Sequence, residues 1–185
     1  MGTFRTANKS DAKAIALLVN KAYRPETGTS GWTHESDLVS GNRASVGQVE
    51  EAISKPDSVI LVGLNGSEIV ACVHVEKDGS CCHIGMLAVN PKLQGLGAGK
   101  QMLAHAERYA NENFCSEKFI MVVVSSRSEL IAFYLRRGYQ KTGTVQDYPR
   151  SAGVGTPKFS DIKTEVFENG LTLHSRGAAP NLSAQ

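Results

Sequence analysis

No stretch of the sequence is hydrophobic over enough residues to cross a membrane as a helix. The longest apolar runs, such as residues 119–124, have the length of a β-strand, whereas a spanning helix needs about 20 apolar residues. Charge of one sign is not in excess either, because 20 Lys and Arg residues face 18 Asp and Glu residues and leave a formal net charge of +2. A surface built for nucleic acid is usually strongly basic. We therefore expect neither a membrane nor a nucleic acid as partner.

Cysteine is scarce, with four residues, Cys72, Cys81, Cys82 and Cys115. The first residues of the chain lack the apolar segment of a signal peptide, and we expect reduced thiols in a cytoplasmic protein. Cys81 and His83 would share one face of a strand, but no second pair of ligands has zinc-like spacing. We therefore expect no metal site.

Length and composition fit one globular domain. The chain has 185 residues, of which 41% are hydrophobic, and domains commonly hold about 100–200 residues. We expect residues 1–167 to form this domain. Residues 168–185 are polar and rich in small side chains, and we expect them to form a partly disordered tail.

Hydrophobic periodicity predicts helices and strands in an order typical of a mixed α/β (α+β) domain. Helices are predicted at residues 10–22, 45–54, 97–113 and 128–137. Strands are predicted at residues 3–5, 58–64, 68–76, 81–89, 119–124, 139–145 and 158–167. Tight turns at Asn65-Gly66 and Asp78-Gly79 make an antiparallel meander of the three strands between 58 and 89.

Glycine is abundant, with 18 residues in the chain, and three of these lie in one segment before a predicted helix. That segment reads Gln94-Gly95-Leu96-Gly97-Ala98-Gly99-Lys100. The bare N–H groups and partial positive charge of a helix N-terminus attract phosphate, and glycines let the backbone come close to it. Because the spacing fits neither a Walker loop nor a dinucleotide fingerprint, it predicts a phosphate cradle of another kind. A glycine-rich turn without a ligand is the alternative.

These residues resemble the signature of the GNAT superfamily of acetyl-CoA-dependent N-acetyltransferases, which is Gln/Arg-x-x-Gly-x-Gly/Ala at the start of the helix after the fourth strand. Gln94, Gly97 and Gly99 match that signature. A second block, residues 129–139, is similar to the family's helix that carries an aromatic–Tyr pair and ends in a Gly–aromatic step. The order of predicted elements agrees with the family from about residue 4 to residue 167.

The resemblance implies a GNAT fold, in which a mixed, mostly antiparallel sheet is splayed between its fourth and fifth strands and flanked by about four helices. Acetyl-CoA is the implied co-substrate. Its pantetheine amides would bond to the backbone of Leu87 and Val89, and its pyrophosphate to the N–H groups of residues 94–100. Arg127 stands where many members carry Asn, and it would reach a CoA phosphate or face solvent. The residues that the resemblance gives to acetyl-CoA are Leu87, Ala88, Val89, Gln94, Gly95, Leu96, Gly97, Ala98, Gly99, Lys100, Arg127, Phe133 and Tyr134.

Acetyl transfer to an amine needs a neutral amine, a donor for the carbonyl oxygen and a proton for the departing thiolate. Tyr134 matches the family position for the acid that protonates the CoA sulfur, and the N–H of Leu87 is the expected oxyanion donor. His83 occupies a position that often carries the proton acceptor, and a neutral imidazole suits that role near neutral pH. Glu35, His34 or ordered water is the alternative acceptor. For Tyr134 and His83 a purely structural role also stays open.

Residues 23–44 show no periodicity, and a connection of this length is often a functional loop. In the family, the region between the first two helices lines the acceptor side. The resemblance therefore makes Trp32, Glu35 and Arg43 the expected contacts of an amine that bears a carboxylate. A solvated surface loop is the alternative.

The function implied by these features is that of an acyltransferase that moves an acetyl group directly from acetyl-CoA to a primary amine in a ternary complex. We expect a small-molecule amine or an amino acid as the acceptor. Two alternatives stay open, namely a protein acetyltransferase that acts on a lysine or an N-terminal amine, and a non-catalytic module that binds acyl-CoA. Members of the family are often dimers, so a homodimer is a further expectation.

Overall fold

A seven-stranded sheet runs through the computed structural model, which describes residues 2–25 and 34–170. The strands in chain order are β1 (Thr3–Thr6), β2 (Val39–Ser40), β3 (Ser58–Asn65), β4 (Glu68–Asp78), β5 (Cys81–Val89), β6 (Lys118–Val124), β7 (Gln140–Asp147), β8 (Thr156–Pro157) and β9 (Lys163–Gly170). The α-helices of these residues are α1 (Ala12–Tyr23), α2 (Val46–Ser54), α3 (Ala98–Phe114) and α4 (Ser128–Leu135). Strands β2 and β8 pair with each other, and the rest form the sheet in the order β1-β3-β4-β5-β6-β9-β7.

The central pair of this sheet, β5 and β6, is parallel, whereas every other pair in the sheet is antiparallel. The two parallel strands are in register only from Cys81 opposite Lys118 to His83 opposite Ile120. Beyond those three residue pairs they part, and a groove opens between them. This confirms the expected fold class and its splay. The short strand β2 was not predicted and lies outside this sheet. The strands predicted as the fourth and fifth therefore carry the numbers β5 and β6 here.

The sheet separates two apolar cores, each made by a face of the sheet and the helices that pack on it. The core beneath α3 and α4 includes Val73, Ile84, Leu103 and Phe167. The core beneath α1 and α2 includes Ile15, Val19, Ile60 and Cys72. Because the groove between β5 and β6 lies where the sheet parts, it is reached from both sides of the sheet.

The last strand differs from the expectation at both ends. Residues 156–157 form β8, which pairs with β2, and the chain then turns before β9 begins at Lys163. Strand β9 continues to Gly170 opposite Lys118, and Glu168 forms an ion pair with the Lys118 ammonium at 2.6 Å. The expected tail boundary at 168 is therefore wrong for residues 168–170, because backbone pairing with β6 orders this polar segment.

The structure describes no helix that is both long and apolar enough to cross a membrane.

A substitution at Leu103 tests the packing of α3, the helix that begins within the glycine segment. Its side chain is 1% exposed in the core beneath α3, so Leu103→Ala should lower the free energy of unfolding by about 2–5 kcal/mol. Leu17→Ala in α1 is the matched control, because Leu17 is 63% exposed and should change the same quantity by no more than about 0.5 kcal/mol. Urea titrations followed by circular dichroism measure both. Equal losses in the two variants would contradict this packing.

Candidate active site

A cavity of about 690 Å³ occupies the groove where β5 and β6 part. Residues 84–87 of β5 form one wall, and residues 120–124 of β6 form the other. Tyr23 from α1, Arg43 from the segment before α2 and Tyr134 from α4 also line it. The cavity therefore brings together residues from five separate segments of the chain.

A β-bulge shapes the β5 wall of this cavity. The register between β4 and β5 shifts between Cys72 and His74, and Met86 has a φ of 50°, a left-handed value that costs a non-glycine residue about 1–2 kcal/mol. Two side chains hold the bulged carbonyls: the Cys72 thiol donates to Met86 at 3.7 Å, and the Tyr23 hydroxyl donates to Leu87 at 3.2 Å. Burial raises the pKa of Cys72 to about 12, so its thiol stays a donor. Leu87, the expected oxyanion donor, thus sits at a braced position.

Tyr134 reaches the cavity from α4 while most of its ring is buried. It is 6% exposed, and its ring makes edge contacts with the rings of Phe133 and Tyr139, with centroids 5.2 and 5.8 Å away. Burial raises the pKa of Tyr134 above its ordinary value. Its hydroxyl makes no hydrogen bond with the described residues. The Tyr134 hydroxyl is therefore protonated, and it can donate a hydrogen bond into the cavity.

A second, smaller pocket of about 250 Å³ lies at the start of α3. Gly95 and Gly97 have φ values of 81° and 83°, and a Cβ at either position would meet nothing within 4 Å. The helix that begins after Gly97 has no side-chain cap, so its first N–H groups lie beside the pocket without an acceptor among the described residues. Glycine is needed here for the backbone conformation, and the space that it leaves is open to a ligand.

Three cations surround this small pocket, namely Lys100, Arg136 and Arg137. The Arg137 guanidinium lies 3.4 Å from the centroid of the Phe133 ring and donates to the Phe133 carbonyl at 2.6 Å, but its buried Nε has no partner in the described part of the chain. Gln94 likewise donates to the Val89 carbonyl while its buried Oε1 is unpartnered there. A diphosphate fits this pocket, because its negative charge would meet three cations and the N–H groups at the helix start. The Nε of Arg137 could donate a further hydrogen bond to it. Sequence reasoning missed Arg136 and Arg137.

The other residues expected at acetyl-CoA divide into two groups. Leu87, Val89, Gln94, Gly95, Gly97, Gly99, Lys100 and Phe133 line the small pocket. Ala88 and Ala98 are instead buried in the cores, and the Leu96 side chain is 73% exposed. None of these three residues is among those that line the small pocket.

Arginines and one buried carboxylate form the wall of the large cavity where the acceptor is expected, called the acceptor wall below. Glu35 is 3% exposed, and its carboxylate contacts the guanidinium groups of Arg24 at 2.5 Å and Arg127 at 3.8 Å. Arg43 and Arg127 both lie over the Tyr23 ring, at 5.3 and 5.7 Å from its centroid. The Glu35 carboxylate, an expected contact of the amine, is thus paired with two arginines. Arg127, an expected contact of a CoA phosphate, lines the large cavity and is not among the residues that line the glycine pocket. Trp32, the third expected contact, is outside the described residues.

Two histidines line the large cavity, and only one was expected there. His83, the predicted proton acceptor, has a side chain that is 45% exposed, and its Nε2 lies 3.3 Å from the Asp78 carboxylate. His74 of β4 is the second, and no motif in the sequence drew attention to it. His34, an alternative acceptor, is not among the residues that line this cavity.

Within residues 2–25 and 34–170, no three His, Cys, Asp or Glu side chains lie close enough together to hold a metal ion.

The model of the Acetyltransferase (GNAT) family matches residues 15–139 of this chain. A curated relative, the Uncharacterized protein YdhI of Bacillus subtilis (strain 168), is 26% identical over 106 residues, which make up 57% of this chain and 62% of that protein. The alignment therefore spans less than two thirds of that relative's length.

Solved structures share the fold over most of the chain. The ribosomal-protein-S18-alanine N-acetyltransferase of Escherichia coli has a TM-score of 0.69 at 13% identity and is matched over 97% of this chain and 99% of that one. An N-acetyltransferase from Staphylococcus aureus Mu50 has a TM-score of 0.68 at 13% identity, with 91% and 96% covered. An acetyltransferase from Bacillus anthracis str. Ames, solved in complex with acetyl coenzyme A, has a TM-score of 0.54 at 21% identity, with 65% and 66% covered.

The phosphate cradle is tested by Gly97→Val. The added side chain meets no protein atom but fills the space at the helix start and disfavours the positive φ, so calorimetry should show loss of CoA binding by a protein that still folds. Gly143→Val is the matched control, because Gly143 in β7 has a φ of 85° and the same open surroundings. That variant should bind CoA as the wild type does. Undiminished affinity in Gly97→Val would contradict the cradle.

Proposed function

Because the chain belongs to the acetyltransferase (GNAT) family, we propose that it transfers the acetyl group of acetyl-CoA directly to a primary amine in a ternary complex. The observation that carries this proposal is that the phosphate pocket and the large cavity are neighbours. Leu87 and Leu130 line both of them. A ligand that is anchored at the start of α3 can thus extend past the bulge to Tyr134 and the acceptor wall.

The residues of this chain supply binding, orientation and one proton. Acetyl-CoA, which the family uses, would bring the acetyl thioester. The unpaired part of β5 offers backbone groups to pantetheine, as an edge strand does. The N–H of Leu87 would stabilise the oxygen that gains negative charge, and the Tyr134 hydroxyl would protonate the departing sulfur.

The acceptor that this wall favours is a small amine that also carries a carboxylate. Arg43 lines the cavity, and no carboxylate of the described residues pairs with it. Glu35 cannot neutralise it, because that carboxylate already contacts Arg24 and Arg127. A guanidinium that lies over an aromatic ring is held in place and matches a carboxylate with two parallel donors. These features support an amino acid or a similar metabolite as the substrate.

Tyr134→Phe tests the proposed acid. Removal of one hydroxyl from a buried ring should lower kcat by about 10²–10⁴-fold, the usual contribution of general acid catalysis, while CoA affinity stays unchanged because the ring remains. Tyr109→Phe is the matched control, since Tyr109 packs against the core beneath α3 outside both cavities, and it should keep wild-type kcat. If Tyr134→Phe kept the wild-type kcat, Tyr134 could not be the acid.

Arg43→Gln tests the recognition of a carboxylate. A charge-assisted hydrogen bond contributes about 1.5–3 kcal/mol, so KM for an amino acid acceptor should rise by about 10- to 150-fold, while KM for the matching amine without a carboxylate changes little. Arg108→Gln on the outer face of α3 should leave both values unchanged. A parallel rise for both acceptors in Arg43→Gln would argue against a carboxylate partner.

The function itself is tested by thiol release from acetyl-CoA in the presence of amines, amino acids and peptides. Turnover with amino acids supports the proposal. Turnover only with peptides would point to a protein lysine or an N-terminal amine. Binding of CoA without turnover on any acceptor, and with equal affinity in Tyr134→Phe, would indicate a non-catalytic acyl-CoA-binding module.

A further inference from the structure

His74 lies on the wall of the large cavity, beside the bulge. It is paired with Gly85 of β5 and with Ile60 of β3, on the face of the sheet that packs against α1 and α2. Gly85 comes immediately before the bulged Met86, and a Cβ at Gly85 would meet nothing within 4 Å. The missing side chain therefore leaves room next to the His74 ring, one residue from the bulge.

A chain of hydrogen bonds fixes which nitrogen of this ring carries the proton. The Ser58 hydroxyl donates to the Ala52 carbonyl at 2.7 Å, and its oxygen lies 2.8 Å from His74 Nε2. A hydroxyl has one proton, which the carbonyl already receives. His74 Nε2 must therefore donate to Ser58, and Nδ1 is left as the acceptor atom of the neutral ring.

The surroundings favour the neutral form of this ring, although some of the nearby groups favour its charged form. Burial lowers the pKa of His74, with Glu76 raising it and Lys55 and Arg43 lowering it. Lys55 itself is paired with Glu76. The Ala52 carbonyl belongs to the last turn of α2, whose partial negative charge favours a cation at the other end of the hydrogen-bond chain.

We infer that His74 Nδ1 takes the proton of the acceptor ammonium, and that Ser58 is the positioning residue that holds the ring in the required tautomer. This inference rests on the proposed function. It assigns to β4 the role that the sequence gives to His83. His83 is opposite Ile120, where β5 and β6 are still paired, and its imidazole contacts the exposed Asp78 carboxylate.

The protons and electron pairs balance over one turnover. The ammonium gives one proton to Nδ1, from which it passes to water, and the freed lone pair forms the N–C bond to the acetyl group of the thioester. The C–S bond breaks and its electron pair leaves on sulfur, which takes the Tyr134 proton. A second amine proton restores Tyr134, and the third stays on the amide nitrogen.

The ring arrangement is tested in the ligand-free protein by long-range ¹H–¹⁵N spectra of the histidine side chains, with His74→Gln used to identify the His74 signals. At neutral pH the ring should be the Nε2–H tautomer and should titrate below the ordinary histidine value of about 6.5. Ser58→Ala should produce a mixture of tautomers, and Ser58→Thr, which keeps the hydroxyl, should restore the single form. A predominant Nδ1–H tautomer in the wild type would overturn the inference.

The role of the ring is tested by the pH profile of kcat/KM with an amine that the wild type acetylates. His74→Gln should lose about 10²–10³-fold near pH 7 and regain rate towards the pKa of the amine, because only the free amine can then react. Its thermal shift with CoA should equal that of the wild type. His105→Gln on α3, outside both cavities, is the matched control and should keep the wild-type profile.

Each outcome is decisive. A changed profile in His74→Gln but not in His83→Gln supports the inference, and the reverse overturns it and returns the role to His83. If the wild type acetylates the amine and the pH profile of His74→Gln equals that of the wild type, the role of His74 is overturned and the proposed function stands. A wild type that acetylates no amine overturns the proposed function and this role with it.

Discussion

The early parting of β5 and β6 is the constraint on which the candidate site depends. In a sheet, backbone N–H and C=O groups are normally paired with the next strand. Here the pairing stops after His83 and Ile120, so the rest of β5 has backbone groups on one edge to offer a ligand. The bulge at Met86 increases the local twist, and the side chains of Cys72 and Tyr23 hold it open. Without this parting, neither Tyr134 nor the acceptor wall would face β5.

Local signals in the sequence predict the parts of the site that lie in one segment. The glycines of residues 94–100 predict the cradle, because a positive φ and a helix start without a cap depend on neighbouring residues. Arg137 and His74 could not be found in this way, since their importance depends on which strands and helices they meet. His74 faces the cavity because of its register with Gly85, and the bulge that sets this register comes from long-range packing. The ion pair between Glu35 and Arg24 could not be predicted for the same reason, because the fold brings the two side chains together.

The acceptor wall is held by charge that is largely buried. An ion pair removed from water costs desolvation free energy that its own attraction only partly repays, and Glu35 offsets this by contacting two guanidinium groups. Arg43 adds a further cation beside the Tyr23 ring. Among the described residues, the side chains Arg24, Arg43, Arg127 and Glu35 of this wall carry more positive than negative charge, which a carboxylate of the proposed acceptor would reduce. The same charge would discourage a second cationic group at this position, which favours amino acids over polyamines.

In the proposed mechanism, one cavity holds an acid and a base, and burial shifts the pKa values of these two side chains in opposite directions. It raises the pKa of Tyr134 and lowers the pKa of His74, because the charged form is the disfavoured one in each case. The phenol therefore keeps its proton, and the imidazole stays free to accept one, at the same neutral pH. Environments that push two pKa values apart in this way are how acid and base roles are divided within one site. The sheet places the two groups on different elements, with His74 on β4 and Tyr134 on α4, so a proton can leave the amine on one side while another reaches sulfur on the other.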